Sequence, residues 1–549
     1  MTSFSLMFQL LLLLCSPNSF SLAGPIQVPN LQLPASAAAN QAAVKDIFVQ
    51  SYNAYSQFAF GHDSLLPVSA GFVDDRNGWG ASIVDSLPTM LLMNLTDLFE
   101  QGLDFVSKVD FSNSNTGSSV SLFETTIRYV GGMLSAYELS GKQHDVLVQQ
   151  AKVLADKMAF AWADPGQTIP FGEIFFDSNS PIFGINNVAE AGTLDLEWSR
   201  LSLYTGNQTY TALTEGSVRS IATSPGPSQF PGFAPQLIDP SDNTFVDSFL
   251  TWGGGTDSYL EYLIKYARLT NINDTLFADT WHAAVDSSIK NLMRTSTVGN
   301  FVYMADWDSG EVILEGSHLA CFNGGNWIFG GKLLNNQTIV DIGLQLVDAC
   351  WNTYASTATG IGPESFAFIA ANGSFQQPSR QEQTFYNAHG FFITNGVYIQ
   401  RPEVLESNFY AWRATGDTKY LDRAASAIKS FQTFLVANQT NGYAGLNDVN
   451  NPPDGLQDDT ESFWFAEVLK YLYLTFDDPE NISLDTHVFN TEGQVFEAPP
   501  ALPVYGSGAP AGLAASGPFR TKTSSGVPLP LISPGPQGSI QAGPLNPPS

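Results

Sequence analysis

The chain has 549 residues, 44% of them hydrophobic and 12% aromatic, so it is long enough to bury a large core. Its formal net charge of −29 argues against nucleic acid and anionic membrane surfaces as partners. Neutral ligands such as sugars are compatible with this charge, and so are cations.

The first segment carries an apolar run over residues 4–14 and ends in Ser21, Leu22 and Ala23. This run is too short to span a bilayer and small residues follow it, so we predict a cleaved signal peptide over residues 1–23. The segment lacks the usual early Lys or Arg. No later segment has the pattern of a transmembrane helix. We therefore expect no membrane anchor, and a location in the secretory pathway, either secreted or soluble in the Golgi or ER lumen.

Cysteine usage and glycosylation motifs fit the same route. The mature chain would keep only Cys321 and Cys350, which in an oxidising compartment most simply form one disulfide, although a buried free pair is also compatible. Sequons of the form Asn-x-Ser/Thr, which are acceptors for N-glycans, predict a glycoprotein. Seven of them lie at Asn94, Asn207, Asn273, Asn336, Asn372, Asn438 and Asn481.

A helical pattern that ends in a Gly or Asn turn and runs into a second helical pattern recurs along the chain. This is the sequence form of an αα-hairpin. The turn residues are Gly141, Gly206, Asn271, Asn336 and Gly416, with divergent versions near Asn94 and Asp478. We therefore predict about seven hairpins between residues 40 and 490.

Such hairpins form either an open solenoid or a closed barrel. Long, irregular connections between the helices favour a closed all-α barrel whose loops build a pocket at one end. We predict a single domain over residues 24–497. The last segment, residues 498–549, holds 12 of the 32 prolines and should be a disordered tail.

The segment SLFETTIRYVGGMLSAYELSG, residues 121–141, predicts an amphipathic helix, because Phe123, Ile127 and Leu134 recur at helical spacing. Glu124 lies beside this apolar stripe, one turn before Arg128. The simplest interpretation is a surface ion pair, which contributes a few tenths of a kcal/mol.

Other acidic residues interrupt apolar helix patterns in successive hairpins. They are Asp85, Glu190, Glu197, Asp257, Glu403, Glu406 and Glu461. Each one alone fits ordinary helix capping. In a barrel of hairpins, however, equivalent helix starts converge, so these acids would surround one cavity, together with the aromatic residues Trp79, Trp252 and Phe463. Paired carboxylates can perform acid and base chemistry on a glycosidic bond, and crowded ones attract a hard cation such as Ca²⁺.

Seven blocks, in order from about residue 50 to 496, closely resemble the class I α-mannosidases of glycoside hydrolase family 47. The blocks are NGWGASIVDSLPTMLLMNL, FETTIRYVGGMLSAYELSG, AEAGTLDLEWSRLSLYTGN, DSYLEYLIKYA, HLACF, RPEVLESNFYAWRATGD and ESFWFAEVLKYLYLTFDDPENISLDTHVFNTE. The resemblance implies an (α/α)₇ barrel. It also implies inverting, Ca²⁺-dependent hydrolysis of terminal α-1,2-linked mannose from high-mannose N-glycans.

The resemblance also implies roles for individual residues. Glu124 matches the family's candidate general acid, and Glu403 matches the base that activates the attacking water. Asp257 matches a third essential carboxylate and is the rival for the acid role. Inversion requires the carboxyl groups to lie far enough apart to admit that water, roughly 6.5–9.5 Å. Thr491, in the F-N-T-E motif, matches the residue that binds Ca²⁺ through its carbonyl and hydroxyl oxygens.

Further positions match residues that line the sugar subsites or that hold the metal-bound waters. They are Arg128, Glu190, His318, Arg401, Glu461 and Glu492. The structural alternative is pairing among themselves, for example Arg128 with Glu124. Cys321 and Cys350 match the family's disulfide pair.

One departure concerns specificity. Members that stop after one mannose carry Arg two residues before the D-S-Y aspartate, where this chain has Gly255. We therefore expect a soluble, monomeric enzyme that removes several mannoses, toward a five-mannose product, and that resembles the secreted fungal type. The alternative is a mannose-glycan-binding degradation factor of the same fold with weak or no hydrolase activity.

Overall fold

The computed structural model describes residues 24–164, 166–226 and 229–508. Within these ranges the chain is mainly helical. The α-helices are α1 (Ala37–Phe58), α2 (Ala81–Leu92), α3 (Thr96–Val106), α4 (Leu122–Glu124), α5 (Gly131–Leu139), α6 (Asp145–Met158), α7 (Val188–Gly192), α8 (Asp195–Thr205), α9 (Thr209–Thr223), α10 (Asp257–Thr270), α11 (Leu276–Asn291), α12 (Asn323–Leu333), α13 (Gln337–Ala355), α14 (Arg380–His389), α15 (Glu403–Thr415), α16 (Lys419–Phe434) and α17 (Leu469–Phe476).

Shorter elements connect these helices. Turns of π-helix span Thr125–Val130 and Trp464–Val468, and 3₁₀ turns span Ala159–Ala161, Leu319–Phe322 and Pro452–Asp454. The strands form small antiparallel sheets of two or three strands, and in each three-stranded sheet the strand named second lies in the middle. The sheets are Ser64–Leu66 with Gly71–Val73; Val120–Ser121 with Glu173–Phe175 and Ser180–Pro181; Asn186–Asn187 with Leu237–Asp239 and Thr244–Phe245; Met293–Thr295 with Val302–Met304; Asp306–Asp308 with Glu311–Ile313; Glu315–Ser317 with Ser365–Ala367 and Phe392–Asn395; His487–Phe489 with Val495–Glu497.

Two concentric rings of helices make up the barrel. The inner ring consists of α2, α5, α8, α10, α12, α15 and α17, each in contact with the next, and the π turn before α17 closes the ring against α2. Each inner helix packs against one outer helix, in the order α3, α6, α9, α11, α13, α16 and α1. The predicted (α/α)₇ barrel is therefore confirmed.

The turn residues between inner and outer helices follow the predicted pattern, with one correction. Gly206, Asn271 and Gly416 have φ of 74°, 51° and 72°, the left-handed conformation that ends a helix. Asn336 does not have this role. Asn335 adopts the left-handed conformation instead (φ 49°), and the side chain of Asn336 caps α13 by accepting from the Ile339 amide.

The seventh hairpin also differs from the prediction. No outer helix follows the turn near Asp478; the outer partner of α17 is α1, which comes from the other end of the described chain. After α17 the chain instead forms the β-hairpin of strands His487–Phe489 and Val495–Glu497, which contacts the inner helices α5 and α10. Pairing of α1 with α17 completes the outer ring of the barrel.

The segment over residues 121–141 is helical but not amphipathic. It consists of α4, a π turn and α5, and residues 125–136 are all buried. An inner helix packs between two inner neighbours and the outer ring, so it has no face left for water. The π turn lies directly after Glu124, and such turns frequently occur at functional sites.

The tip of the C-terminal hairpin packs inside the inner ring of helices. The amide of Asn490 donates to the Ile127 carbonyl (3.0 Å) and to Glu197 (2.7 Å), and the amide of Gln494 donates to Asp85 (3.1 Å). The ammonium of Lys470 donates to the Gly493 carbonyl at 2.7 Å. These buried bonds fix the tip, residues 490–494, on the axis of the inner ring.

Cys321 and Cys350 form a disulfide, with Cα atoms 5.9 Å apart, between the 3₁₀ turn before α12 and α13. The predicted signal peptide, residues 1–23, lies outside the described residues. The predicted tail begins at 498, yet residues 498–508 still contact the barrel: Arg268 donates to the Pro499 carbonyl (2.8 Å), and Tyr505 donates to Asn271 (2.7 Å). The rest of that tail lies outside the described residues. None of the described helices is long and apolar enough to cross a membrane.

Candidate active site

The first turns of the inner helices meet at one end of the barrel and surround a cavity of about 180 Å³. Six carboxyl groups and two guanidinium groups line it, with the hairpin tip among them. The ionisable lining residues are Glu124, Glu190, Asp257, Glu403, Glu467, Glu492, Arg128 and Arg401. Eight of the predicted site residues, Glu124, Arg128, Glu190, Asp257, Arg401, Glu403, Thr491 and Glu492, therefore share one cavity, whereas His318 and Glu461 lie behind its wall.

Glu124 lies at the junction of α4 and the π turn, and the Ser121 hydroxyl caps its backbone amide. Its Oε2 atom accepts from Nε of Arg128 at 2.7 Å and lies 3.6 Å from Nε of Arg76. Burial favours the neutral acid, but the two guanidinium groups outweigh it and lower the pKa of Glu124 to about 2. Without a ligand, Glu124 is therefore an anion at neutral pH.

Arg128 joins three elements of the site. Besides Glu124, it donates to the Glu492 carboxylate (2.5 Å) and the Ser462 hydroxyl (3.0 Å), and it lies 3.7 Å from Asp85. The predicted i,i+4 ion pair therefore exists, but it is one edge of a buried network rather than a surface pair. Arg128 connects the π turn to the hairpin tip and so fixes Glu124 relative to the cavity floor.

Glu403 is the first residue of α15. Its Oε2 atom lies 2.7 Å from Nδ1 of His318, whose Nε2 lies 2.9 Å from the Tyr354 hydroxyl. Burial opposes the charge of Glu403, but His318 and Arg401 outweigh it, so the pKa of Glu403 is lowered. Arg401 is itself held by Glu364, which accepts from its Nε at 2.6 Å. Glu403 is thus an oriented carboxylate that can accept a proton.

Asp257 begins α10, directly after the glycine run at 253–255. Its carboxylate accepts from the Ser258 amide at 2.9 Å. Burial raises the pKa of Asp257 to about 7, because this one bond and the distant Arg401 compensate only part of the desolvation. Asp257 can therefore hold a proton near neutral pH, which Glu124 cannot do in this geometry.

Two further predicted residues are also carboxyl groups with raised pKa values. Burial raises the pKa of Glu190 to about 7, despite its bond to Asn187, the residue that caps α7. Burial likewise raises the pKa of Glu461 to about 7, partly offset by Arg76. Glu190 lines the cavity, so it can contact a ligand, whereas Glu461 is buried beside it and is not among the lining residues.

Gly255 has φ of +86°, and a Cβ atom there would lie 2.5 Å from the amide nitrogen of Gln236. Both residues line the cavity. The backbone conformation and the position of Gln236 each favour glycine here. The space expected beside Gly255 is therefore occupied in part by Gln236.

Thr491 lies at the hairpin tip and its backbone amide contacts the Tyr262 hydroxyl at 3.3 Å. Beside it, burial raises the pKa values of Glu492 and Glu467 well above the ordinary range, and the neighbouring carboxylates raise that of Glu467 further. Among the described residues, no group of three or more His, Cys, Asp or Glu side chains is arranged to hold a metal ion. The available donors at the tip are oxygen atoms, which suit a hard cation.

Several functional neighbours were not predicted from the sequence. Arg76, Glu364 and Tyr354 position Glu124, Arg401 and His318, and they come from loops and an outer helix far away in sequence. The prediction that Trp79 and Trp252 surround the cavity was wrong, because both are fully buried in the core and do not line it. Phe463 does line the cavity. A tryptophan next to glycines gave no signal to distinguish core packing from sugar stacking.

Comparison with known proteins identifies the family. The model of glycosyl hydrolase family 47 matches residues 47–498. The chain is 41% identical over 486 residues to the probable mannosyl-oligosaccharide α-1,2-mannosidase 1B of Aspergillus clavatus, which covers 83% of this chain and 92% of that protein. It is also 41% identical over 471 residues to the mannosyl-oligosaccharide α-1,2-mannosidase 1B of Aspergillus phoenicis, covering 82% and 90%.

The solved structure of the α-1,2-mannosidase from Trichoderma reesei superposes with a TM-score of 0.81 at 38% identity, covering 84% of this chain and 99% of that one. The match extends across the helical barrel that carries the cavity. The family inferred from the seven sequence blocks is therefore confirmed. This chain belongs to glycosyl hydrolase family 47.

Proposed function

We propose that the protein hydrolyses terminal α-1,2-linked mannose from high-mannose N-glycans with inversion at the anomeric carbon. The observation that carries the proposal is that Glu124, Asp257 and Glu403 line one small cavity and differ in pKa. The pKa values of Glu124 and Glu403 are lowered, whereas that of Asp257 is raised. Such a difference supplies both an acid and a base. The activity itself follows from family membership and from the activities named for the similar fungal proteins.

Glu403 is the base in this proposal. His318 and Arg401 keep it ionised, so its free oxygen can take a proton from a water molecule that attacks the anomeric carbon. The new C–O bond forms as the glycosidic bond breaks, and the leaving sugar oxygen receives a proton from the opposite side. The separation of roughly 6.5–9.5 Å between the acid and base carboxyl groups remains a prediction.

The acid has two candidates. With a pKa raised to about 7, Asp257 is protonated in a substantial fraction of the free enzyme near neutral pH, which supports it as the donor. Glu124 would need Arg128 or Arg76 to move, or a water that relays the proton, before it could donate. We therefore assign the proton to Asp257 in the free enzyme and assign to Glu124 the stabilisation of positive charge that develops on the sugar ring.

We also propose a Ca²⁺ ion at the hairpin tip. Six carboxyl groups and only two guanidinium groups line the cavity, and the tip offers the hydroxyl and carbonyl oxygens of Thr491. Thr491 would hold the ion, with water molecules oriented by Glu403, Glu467 and Glu492 completing its shell. When bound, such an ion would orient sugar hydroxyls and polarise bound water.

We also propose the product, the location and the oligomeric state of the enzyme. Gly255 stands where members that stop after one mannose carry arginine, and this difference supports removal of several mannoses toward a five-mannose product. The apolar N-terminal segment and the sequons support a secreted or lumenal glycoprotein, which we propose acts as a monomer. The partner is the high-mannose glycan itself.

A timed digestion of a nine-mannose glycan, with mass detection and with or without EDTA, tests the proposal. Successive loss of up to four hexoses, stopped by EDTA and restored by Ca²⁺, supports it. Arrest after one hexose contradicts the inference from Gly255 and leaves the chemistry intact. Glycan binding without cleavage would instead identify a mannose-binding degradation factor on the same fold.

A further inference from the structure

An exposed apolar patch lies on the hairpin of strands Glu173–Phe175 and Ser180–Pro181 and on the loop that follows. Its members are Phe175, Ile182, Phe183 and Ile185, with exposed fractions of 39%, 41%, 73% and 49%. Of the eight large hydrophobic side chains that are exposed in the described part of the chain, four lie in this one stretch. Several exposed apolar side chains within one short stretch mark an interaction surface more often than scattered single residues do. We call it the rim patch.

The rim patch is attached to the catalytic cavity at both of its ends. On one side, the strand Glu173–Phe175 pairs with Val120–Ser121, which leads directly into Glu124, and the Leu122 amide donates to the Gly172 carbonyl at 2.9 Å. On the other side, two residues after Ile185, Asn187 lines the cavity and caps the helix of Glu190 (2.8 Å). The patch therefore stands at the rim of the mouth, between two cavity-lining carboxylates.

Phe183, the most exposed member, is supported from beneath. Its ring packs edge-to-face on Phe171, with centroids 4.9 Å apart and an interplanar angle of 76°, and Phe171 is itself 4% exposed. This contact holds the Phe183 ring on one side and leaves the remainder open to solvent. Ile182 is also tied down, because its amide donates to the Glu173 carbonyl at 2.8 Å.

The size of the cavity indicates what would cover this patch. A volume of about 180 Å³ is below the roughly 300–1,000 Å³ of pockets that enclose a drug-sized ligand, so only the end of a branched glycan can enter. The following sugars must leave through the mouth and cross its rim. Hexopyranose rings present apolar C–H faces, which complement aromatic and aliphatic side chains without charge.

We propose that the rim patch binds the C–H faces of the mannose residues that follow the cleaved one, with Phe183 as the principal contact. The inference rests on the proposed function, because it assigns an outer sugar site to the same cavity. Since all four members are apolar, the patch contributes binding area rather than hydrogen bonds. It therefore favours long glycan arms over short substrates.

The test compares α-1,2-linked mannobiose with the nine-mannose glycan, using the intact protein and its Phe183→Ser variant. We expect kcat/KM for the large glycan to fall roughly 2- to 10-fold, mostly through KM, whereas kcat/KM for mannobiose stays unchanged. Phe183→Trp should keep or improve activity on the large glycan. Leu203→Ser is the matched control, because Leu203 is 59% exposed but lies near the far end of α8, and it should change neither value.

An equal loss on both substrates would overturn the proposal, because the patch would then shape the cavity rather than bind outer sugars. No loss on either substrate would overturn it too. If the unmodified protein cleaves neither substrate, the proposed function fails, and that result is distinguishable from both of these outcomes. Thermal midpoints of the variants establish that each one is folded.

Discussion

Nδ1 of His318 lies 2.7 Å from Oε2 of Glu403, while Nε2 of the same ring lies 2.9 Å from the Tyr354 hydroxyl. The imidazole is 1% exposed, so this geometry is fixed by packing. The base of the proposed mechanism, Glu403, is therefore oriented by a residue that lies 85 positions earlier in the chain.

The first prediction concerns that contact. His318→Ala removes a hydrogen bond that lowers the pKa of Glu403, so this pKa should rise. Because the base must be ionised, activity should be lost at acidic pH first, and the acidic limb of the kcat/KM profile should move to higher pH. A hydrogen bond to a charged group contributes about 1.5–3 kcal/mol, so we expect at least about a tenfold loss on that limb. His318→Asn, which keeps a donor near the Nδ1 position, should recover part of it; an unmoved profile in His318→Ala would contradict the role.

The second prediction separates the two acid candidates. If Asp257, with a pKa near 7, donates the proton, kcat/KM must fall as the pH rises above about 7, because the donor is lost. Asp257→Asn should lower activity on mannobiose by about 10²- to 10⁴-fold. Activity on α-mannosyl fluoride, whose leaving group needs little protonation, should be largely retained.

Glu124→Gln is the matched comparison for Asp257→Asn. It should remain poor on both substrates, because a charge that stabilises the sugar ring is needed for either leaving group. Selective retention of fluoride hydrolysis by Glu124→Gln, and not by Asp257→Asn, would assign the acid role to Glu124 instead.

The third prediction concerns the hairpin tip. Ca²⁺ at about 100 times its dissociation constant should stabilise the folded protein by about 2.7 kcal/mol, which raises Tm by roughly 3 °C in a chain of this size. Thr491→Val removes one oxygen donor at nearly constant volume and should abolish the Ca²⁺-dependent rise, whereas Thr491→Ser should keep it. Differential scanning calorimetry with EDTA and with added Ca²⁺ measures this without any assay of activity. A Thr491→Val protein with the full rise would exclude Thr491 as a ligand.

The fourth prediction concerns the disulfide. Cys321 and Cys350 close a loop with a sequence separation of 29 residues, so replacing both by Ser should destabilise the fold by about 3–4 kcal/mol. We expect a lower Tm but kcat/KM within about twofold at 25 °C, since neither sulfur lines the cavity. An unchanged Tm would show that the packing of α12 on α13 is sufficient by itself.

The fifth prediction concerns Gly255. Gly255→Ala should lower the free energy of unfolding by about 1–2 kcal/mol, because alanine disfavours the left-handed backbone conformation. The new Cβ atom would also collide with the Gln236 side chain. Gln236→Ala should relieve the collision but not the backbone cost, so the two changes should be less than additive. Urea unfolding of the two single variants and the double variant measures this. Full additivity would show that Gln236 moves away without cost.

Much of the fold could be predicted because it depends on local patterns. The turns at Gly206, Asn271 and Gly416 mark helix ends through a backbone conformation that favours glycine and asparagine, and they contributed to the predicted count of hairpins. The same logic failed where geometry is decided at a distance. The pairing of α17 with α1 has no local signal, because those helices lie at opposite ends of the described chain.

The candidate site divides in the same way. The sequence by itself determined which residue types stand at the helix starts, and its seven blocks determined the family. Only the tertiary structure decided how their pKa values differ: Glu124 lies between Arg128 and Arg76, whereas Asp257 is equally acidic in sequence but receives one backbone bond. A pKa depends on desolvation and on charges within a few ångströms, and those neighbours come from remote parts of the chain. The sequence therefore identified the carboxyl groups, and the closed barrel determined the direction in which each pKa is shifted.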